Sequence, residues 1–170
     1  SSEPSSPTAA YDAMLSAVKS GKRTFNLSDA RRQATSLYSQ QAELGMADGA
    51  SLAALLRFCR DSEECRALIR THMVRPDTSF LAAPSVAPFV ELANRLLLEG
   101  DDKAARNVAR HDIPAMFGRK NMSKSVKKEC ARILSNISSA KESRLSASRG
   151  NWLRTLLQAD HPLSWEEAAA

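Results

Sequence analysis

The sequence predicts an all-α protein, a short α-solenoid of antiparallel helix hairpins with a basic helical extension toward its C-terminal end. Three observations carry that expectation. Alanine (27) and leucine (19) far outnumber the 16 Val, Ile and Thr residues, and only 6 of the 170 residues are glycine, so the local preference is helical. Apolar residues recur at i, i+3, i+4 and i+7 in one segment after another. The segments come in pairs punctuated by Gly, and such pairs cannot bury their apolar faces alone and must stack. No apolar run approaches the roughly 18 residues that a membrane span needs.

Each element has its basis in its own residues. Positions 1–10 hold two prolines and four serines and read as a flexible arm. Tyr11, Met14, Leu15 and Val18 form the stripe of a first helix closed by Gly21. Ser28 and Asp29 are positioned to cap a second helix that runs to about Leu44, with Ala30, Ala34, Leu37 and Tyr38 on one face and Gly45 as terminator. A third spans about Ser51 to Arg60 with Leu52, Leu55, Leu56 and Cys59 inward, and a fourth spans Ser62 to Met73 with Cys65, Leu68 and Ile69 inward. Pro76 ends it, and the Pro-bearing connection after it is anchored by Phe80, Leu81 and Val86.

Pro88 suits the first turn of a fifth helix, which buries Phe89, Leu92, Ala93, Leu96 and Leu97 and stops at Gly100. Asp101 caps a sixth through Ala104, Ala105, Val108 and Ala109, and Pro114 and Gly118 break the segment beyond it. Ser123 caps a seventh helix striped by Val126, Cys130, Ile133, Leu134 and Ile137. A last short helix carries Trp152, Leu153, Leu156 and Leu157, and the tail beyond it offers Trp165; the two tryptophans are candidate partner-docking anchors. The chain thus divides into an arm (1–10), a helical-repeat region (11–118), and a basic helix with a C-terminal helix and tail packed on the repeats (119–170).

Charge is unevenly distributed. Residues 1–100 carry 11 Lys/Arg against 11 Asp/Glu, residues 101–150 carry 12 against 5, and residues 151–170 carry 1 against 3. At 100° per residue, Lys124, Lys127, Lys128 and Arg132 fall opposite the apolar stripe of the seventh helix, with Arg119 and Lys120 just before it. These six are the candidate RNA-binding residues. A cationic ridge of this kind contacts several phosphates at once, with an affinity that depends on salt and not on sequence. The same ridge could meet an acidic protein, or, less well, an anionic membrane, because the apolar face of that helix has no Trp or Phe.

Nothing in the sequence points to catalysis. Cys59, Cys65 and Cys130 lack CxxC spacing and read as small buried hydrophobes in a reducing compartment. His72, His111 and His161 are dispersed, and no Walker loop, HExxH or GxGxxG is present. Asp101, Asp102 and Asp112 read as helix-start charges. No metal, cofactor or small-molecule substrate is expected.

Three windows share one layout, in which an aromatic or apolar residue opens a helix, two apolar residues stand three and four positions on, and an Ala-x-x-apolar helix succeeds a Gly. The first contains Tyr11, Met14, Leu15, Gly21, Ala34, Leu37, Tyr38 and Gly45; the third contains Phe89, Leu92, Ala93, Gly100, Ala105 and Val108; the middle one contains Leu52, Leu55, Leu56, Leu68 and Ile69 and lacks its internal Gly. Over roughly residues 8–112 the chain resembles the pentatricopeptide-repeat family, helix hairpins of the tetratricopeptide-like kind, with an insertion between Gly21 and Ala34. The resemblance implies an organellar, mitochondrial protein that binds RNA or belongs to a ribonucleoprotein. It also implies base reading from the position after each opening residue, here Asp12, Ala53 and Val90. Two of these have no hydrogen-bonding side chain and the third is an anion, so sequence-specific readout is not expected. The resulting expectation is a non-catalytic subunit of a mitochondrial ribosome or RNA-processing complex that touches RNA backbone through its basic helix and neighbouring proteins through its repeats. The alternative is a protein scaffold without RNA contact.

Overall fold

A computed structural model describes residues 8–20, 26–73 and 85–145, and among them every regular element is helical. The elements are α1 (Ala9–Lys19), α2 (Leu27–Glu43), α3 (Gly49–Leu56), α4 (Ser62–Met73), α5 (Ala87–Leu98), α6 (Asp102–Asn107), a π-helical turn (Val108–Asp112), α7 (Ile113–Phe117), a single 3-10 turn (Arg119–Asn121) and α8 (Lys124–Leu145). No helix among the described residues is long and apolar enough to cross a membrane.

Helix ends obey local chemistry. The Asp48 carboxylate accepts the Ser51 N–H at 2.8 Å, and Asp101 accepts from Ala104 N–H at 3.1 Å, each filling an N-terminal donor that has no partner within its helix. Gly45, Gly100 and Gly118 close α2, α5 and α7 at φ near +70° to +81°, a conformation that side chains with a Cβ disfavour. The start of α4 is tied down twice, by Asp61 accepting from Glu64 N–H and by Glu99, just past the end of α5, accepting both the N–H and the hydroxyl of Ser62 at 2.7 and 2.6 Å.

Packing is sequential with one centre. The pair α1 and α2 packs together and both touch α3; α3 packs on α5 more extensively than any other pair of helices; α5 also holds α4, α6 and α8. One continuous core results, in which Tyr11, Tyr38, Leu52, Leu56, Phe58, Leu92, Val108, Ile113 and Ile133 are almost wholly enclosed. Arg95 is enclosed with them at 0% exposure, its Nη1 donating to the Arg60 carbonyl at 3.0 Å.

Three local expectations need correction. The cap of α2 is Asn26, not Ser28 or Asp29: Asn26 is extended, its side chain accepts from Asp29 N–H at 2.9 Å, and the helix begins at Leu27. Next, α3 starts two residues earlier than Ser51 and ends at Leu56, because the N–H groups of Arg57, Phe58 and Cys59 bond back three residues to form a tight turn. Finally, Pro114 does not break the chain. The apolar pattern of α6 (Ala105, Val108, Ala109) slips by one residue before Ile113, and the π turn absorbs the extra residue. Ile113 N–H bonds to the Val108 carbonyl, so Ile113 stacks on Val108 where a regular α-helix would have buried Asp112. Pro114 has no N–H to give the Arg110 carbonyl, and Arg119 Nη2 lies 3.4 Å from that oxygen instead. The expected arm (1–10) ends earlier than expected, since Ala9 and Ala10 already belong to α1; its residues 1–7, Gly21 as terminator, and the anchors Phe80 and Leu81 lie outside the described residues.

Two substitutions test this packing. Alanine normally favours a helix over glycine by about 1 kcal/mol. At Gly49, however, a Cβ would collide with the Cβ and Oγ of Ser85. Gly49→Ala is therefore expected to lower the urea midpoint, and a raised midpoint would contradict the close approach of Ser85 to α3. The second concerns His72, whose ring meets Tyr38 edge-on at a centroid distance of 4.8 Å. Burial pushes the pKa of His72 below the ordinary imidazole value. The unfolded chain therefore takes up the proton first, and stability is lost as pH falls through about 6.5 toward the lowered folded-state value. The stability difference between the parent and His72→Phe should move against the parent between pH 7.5 and pH 5.5 in urea melts.

Candidate nucleic-acid interface

The basic helix is built as its sequence pattern demands. Ser123 Oγ accepts the Val126 N–H at 3.2 Å and starts α8, and Val126, Cys130, Ile133 and Ile137 are buried against α5 and α6, with Leu134 half-buried. On the far side Lys124, Lys127 and Lys128 are exposed and make no ion pair among the described residues. Arg119 and Lys120 stand exposed in the 3-10 turn that Gly118 opens immediately before α8. The structure thus brings five of the six candidates to the surface at one end of α8 and the turn that leads into it.

Arg132 departs from the group. Its Nη2 lies 2.9 Å from Glu129 Oε2 one turn earlier, with the two side chains 58% and 28% exposed; the pair is close without being aligned as a hydrogen bond. This arginine leans off the ridge toward a carboxylate of its own helix and lines a neighbouring furrow. Trp152 and Trp165 lie outside the described residues.

That furrow, about 500 Å³, runs across the first turns of α1, α5 and α8 and along α3. Asp12, Ala53 and Val90, the three positions matched to base reading, all line it. Between them sits Arg57, with Nε 3.1 Å from Glu91 Oε1 and Nη1 3.9 Å from Asp12 Oδ1. Both guanidiniums of the furrow, Arg57 and Arg132, are therefore paired within the chain against three carboxylates, Asp12, Glu91 and Glu129, and the rest of the floor is largely methyl surface from Ala50, Ala53, Ala54, Ala87 and Val90. Such a lining gives a base edge little to recognise. Nothing in the sequence pattern singles out Arg57, Glu91 or Arg95. The one signal at Arg57 is an arginine one position after an apolar run, which acquires meaning only when α5 brings Glu91 across from 34 residues away.

The buried polar groups elsewhere are structural. Tyr11 donates to Gln41 Oε1 at 2.8 Å, and burial raises its phenol pKa well above the ordinary value, while burial and then the Asp48 charge push Tyr38 up to about 12. Cys65 Sγ donates to the Leu56 carbonyl at 3.7 Å. A hydrogen bond with Cys65, then burial, raises the pKa of the Cys59 thiol, and burial first raises that of Cys130. All three cysteines are buried, and the raised Cys59 and Cys130 thiols are unlike reactive thiolates. Among the described residues no three His, Cys, Asp or Glu side chains converge where a metal ion could sit.

The Arg57–Glu91 pair is partly enclosed, with Glu91 only 11% exposed. Removing one partner strands the other, so Arg57→Met is expected to cost about 1–3 kcal/mol. In a double-mutant cycle with Glu91→Gln, denaturant melts should show a coupling energy above about 0.5 kcal/mol. Strictly additive effects would mean that the ion pair contributes nothing.

A scan against protein-family models and searches of the curated proteins and of the solved structures return no match to this chain.

Proposed function

We infer that this chain is a non-catalytic helical-repeat subunit of an organellar ribonucleoprotein, such as a mitochondrial ribosome or RNA-processing complex, and that it holds RNA backbone through α8 and the turn before it. One observation carries the reading. Lys124, Lys127 and Lys128 are exposed and unpaired opposite a buried apolar stripe, whereas Arg57 and Arg132 are engaged with carboxylates of this chain. A row of solvated ammonium groups on a rigid helix suits phosphates that need neutralising without base recognition. The repeat architecture is supported by the packing of α1 on α3 and of α3 on α5, one opening helix on the next, and by the gathering of Asp12, Ala53 and Val90 into one furrow, as repeat-equivalent positions would be.

A scaffold role without RNA is the second reading. It is favoured by the furrow itself, whose methyl floor, paired guanidiniums and one carboxylate in excess suit protein contact better than RNA.

Filter binding of generic single-stranded RNA across a salt series separates the two. Replacing Lys124, Lys127 and Lys128 together with Gln should weaken binding and flatten the log–log salt slope by about 2, at roughly 0.7 for each phosphate that is no longer neutralised. Arg132→Gln should leave the slope unchanged. If the triple variant retains both affinity and slope, the RNA role of α8 is wrong and the scaffold reading stands.

A further inference from the structure

A second concavity lies on α4, α5 and α7, where nothing in the RNA reading uses it. Its volume is about 570 Å³, within the range of ligand-holding clefts. Phe89 and Leu92 of α5, Ile69 and Met73 of α4, and Met116 of α7 supply an apolar lining. Arg66 and Arg70 of α4 and Asp112 of the π turn supply its charges, with Arg66 Nη1 3.4 Å from Asp112 Oδ2. Arg70 is exposed and has no carboxylate partner among the described residues. The cleft exists because of the π turn: the extra residue that stacks Ile113 on Val108 carries Asp112 out of the core and sets it, with Met116, facing α4.

The apolar lining runs between two helices and is bordered by two guanidiniums against one carboxylate. That combination suits an occupant with an apolar stripe and acidic flanks, and methionines at both walls can repack around such a stripe. We propose that the cleft between α4 and α7 is a docking site for an acidic amphipathic helix of a neighbouring protein, its apolar residues at i, i+3, i+4 and i+7 entering over Phe89 and its carboxylates meeting Arg66 and Arg70. The site deepens the assembly-subunit reading and rests on it. It does not depend on α8 binding RNA, so the two can fail separately.

The probe is a synthetic helical peptide with Leu at i, i+3, i+4 and i+7 and Glu on both flanks, titrated into the full chain labelled at its methionine methyl groups. The chain has five methionines, and Met73 and Met116 line the cleft while Met14, Met46 and Met122 do not. Binding should shift Met73 and Met116 alone. Arg66→Glu with Arg70→Glu should weaken the peptide at least tenfold, and a Lys-flanked peptide should recover the loss on that variant, a rescue that a misfolded protein could not give. The proposal is overturned if neither methyl moves, if the Lys-flanked peptide binds the parent equally well, or if decanoate fills the cleft and the peptide does not. It is also overturned if Phe80→Ser with Leu81→Ser creates peptide binding that the parent lacks, because the chain's own connection would then be the occupant.

Discussion

The burial of α5 is the constraint on which the rest of the structure depends. Twelve residues long, it packs against α3, α4, α6 and α8, and its Phe89, Leu92, Ala93, Leu96 and Leu97 are all removed from water. Helices α4, α6 and α8 each present one apolar stripe to it and keep an opposite face in water, whereas α3 is buried at every position but Ala50. The furrow and the cleft both border this helix, and the lysine ridge stands on the far side of a helix packed against it. Even the polar interior serves this packing. Arg95, inside the apolar face of α5, reaches the carbonyl of Arg60 at the α3–α4 turn and Glu99 at its end grips Ser62, so the two hairpins are joined by hydrogen bonds as well as by hydrophobic area. Nε and Nη2 of Arg95 have no partner among the described residues, which makes this tie one of specificity more than of net stability.

Charge is sorted by chemistry. Arginine, with a planar fork that can bond in several directions, is used where chains of contact must be closed: Arg57 between Asp12 and Glu91, Arg31 to the Phe58 carbonyl at 2.6 Å, Arg66 to Asp112. Lysine, a compact and strongly hydrated charge, is left standing in water on α8. The two populations therefore have different uses. Those arginines hold the helices in register, and the exposed lysines give α8 its outward positive field. Exposed pairs such as Arg32 with Asp29 contribute little to either.

How much of this is legible in the sequence depends on the distance over which each feature is decided. The bounds of α4, the Gly100 stop with the Asp101 cap beside it, the Ser123 cap and the division of α8 into a stripe and a ridge are all readable, because each is settled within one or two turns of chain. Asn26 escapes notice as a cap although Asp29 three residues on is visible, since several polar residues in a row compete for the role and only the backbone angle at Asn26 decides it. The π turn leaves a trace, an apolar stripe out of step by one residue between Ala109 and Ile113, but beside Pro114 that trace reads as a break.

Helical class, the order of the elements and the segregation of cations from the apolar seam were determined by the amino-acid sequence alone, because 3.6-residue periodicity and terminal capping are local properties of the chain. Tertiary structure alone decided that Arg57 meets Glu91, that Arg132 lines the furrow, and that Asp112, at the head of α7, edges a cleft. Those outcomes depend on which faces oppose one another once α5 is enclosed, and a contact between residues 34 or 46 positions apart has no local signature.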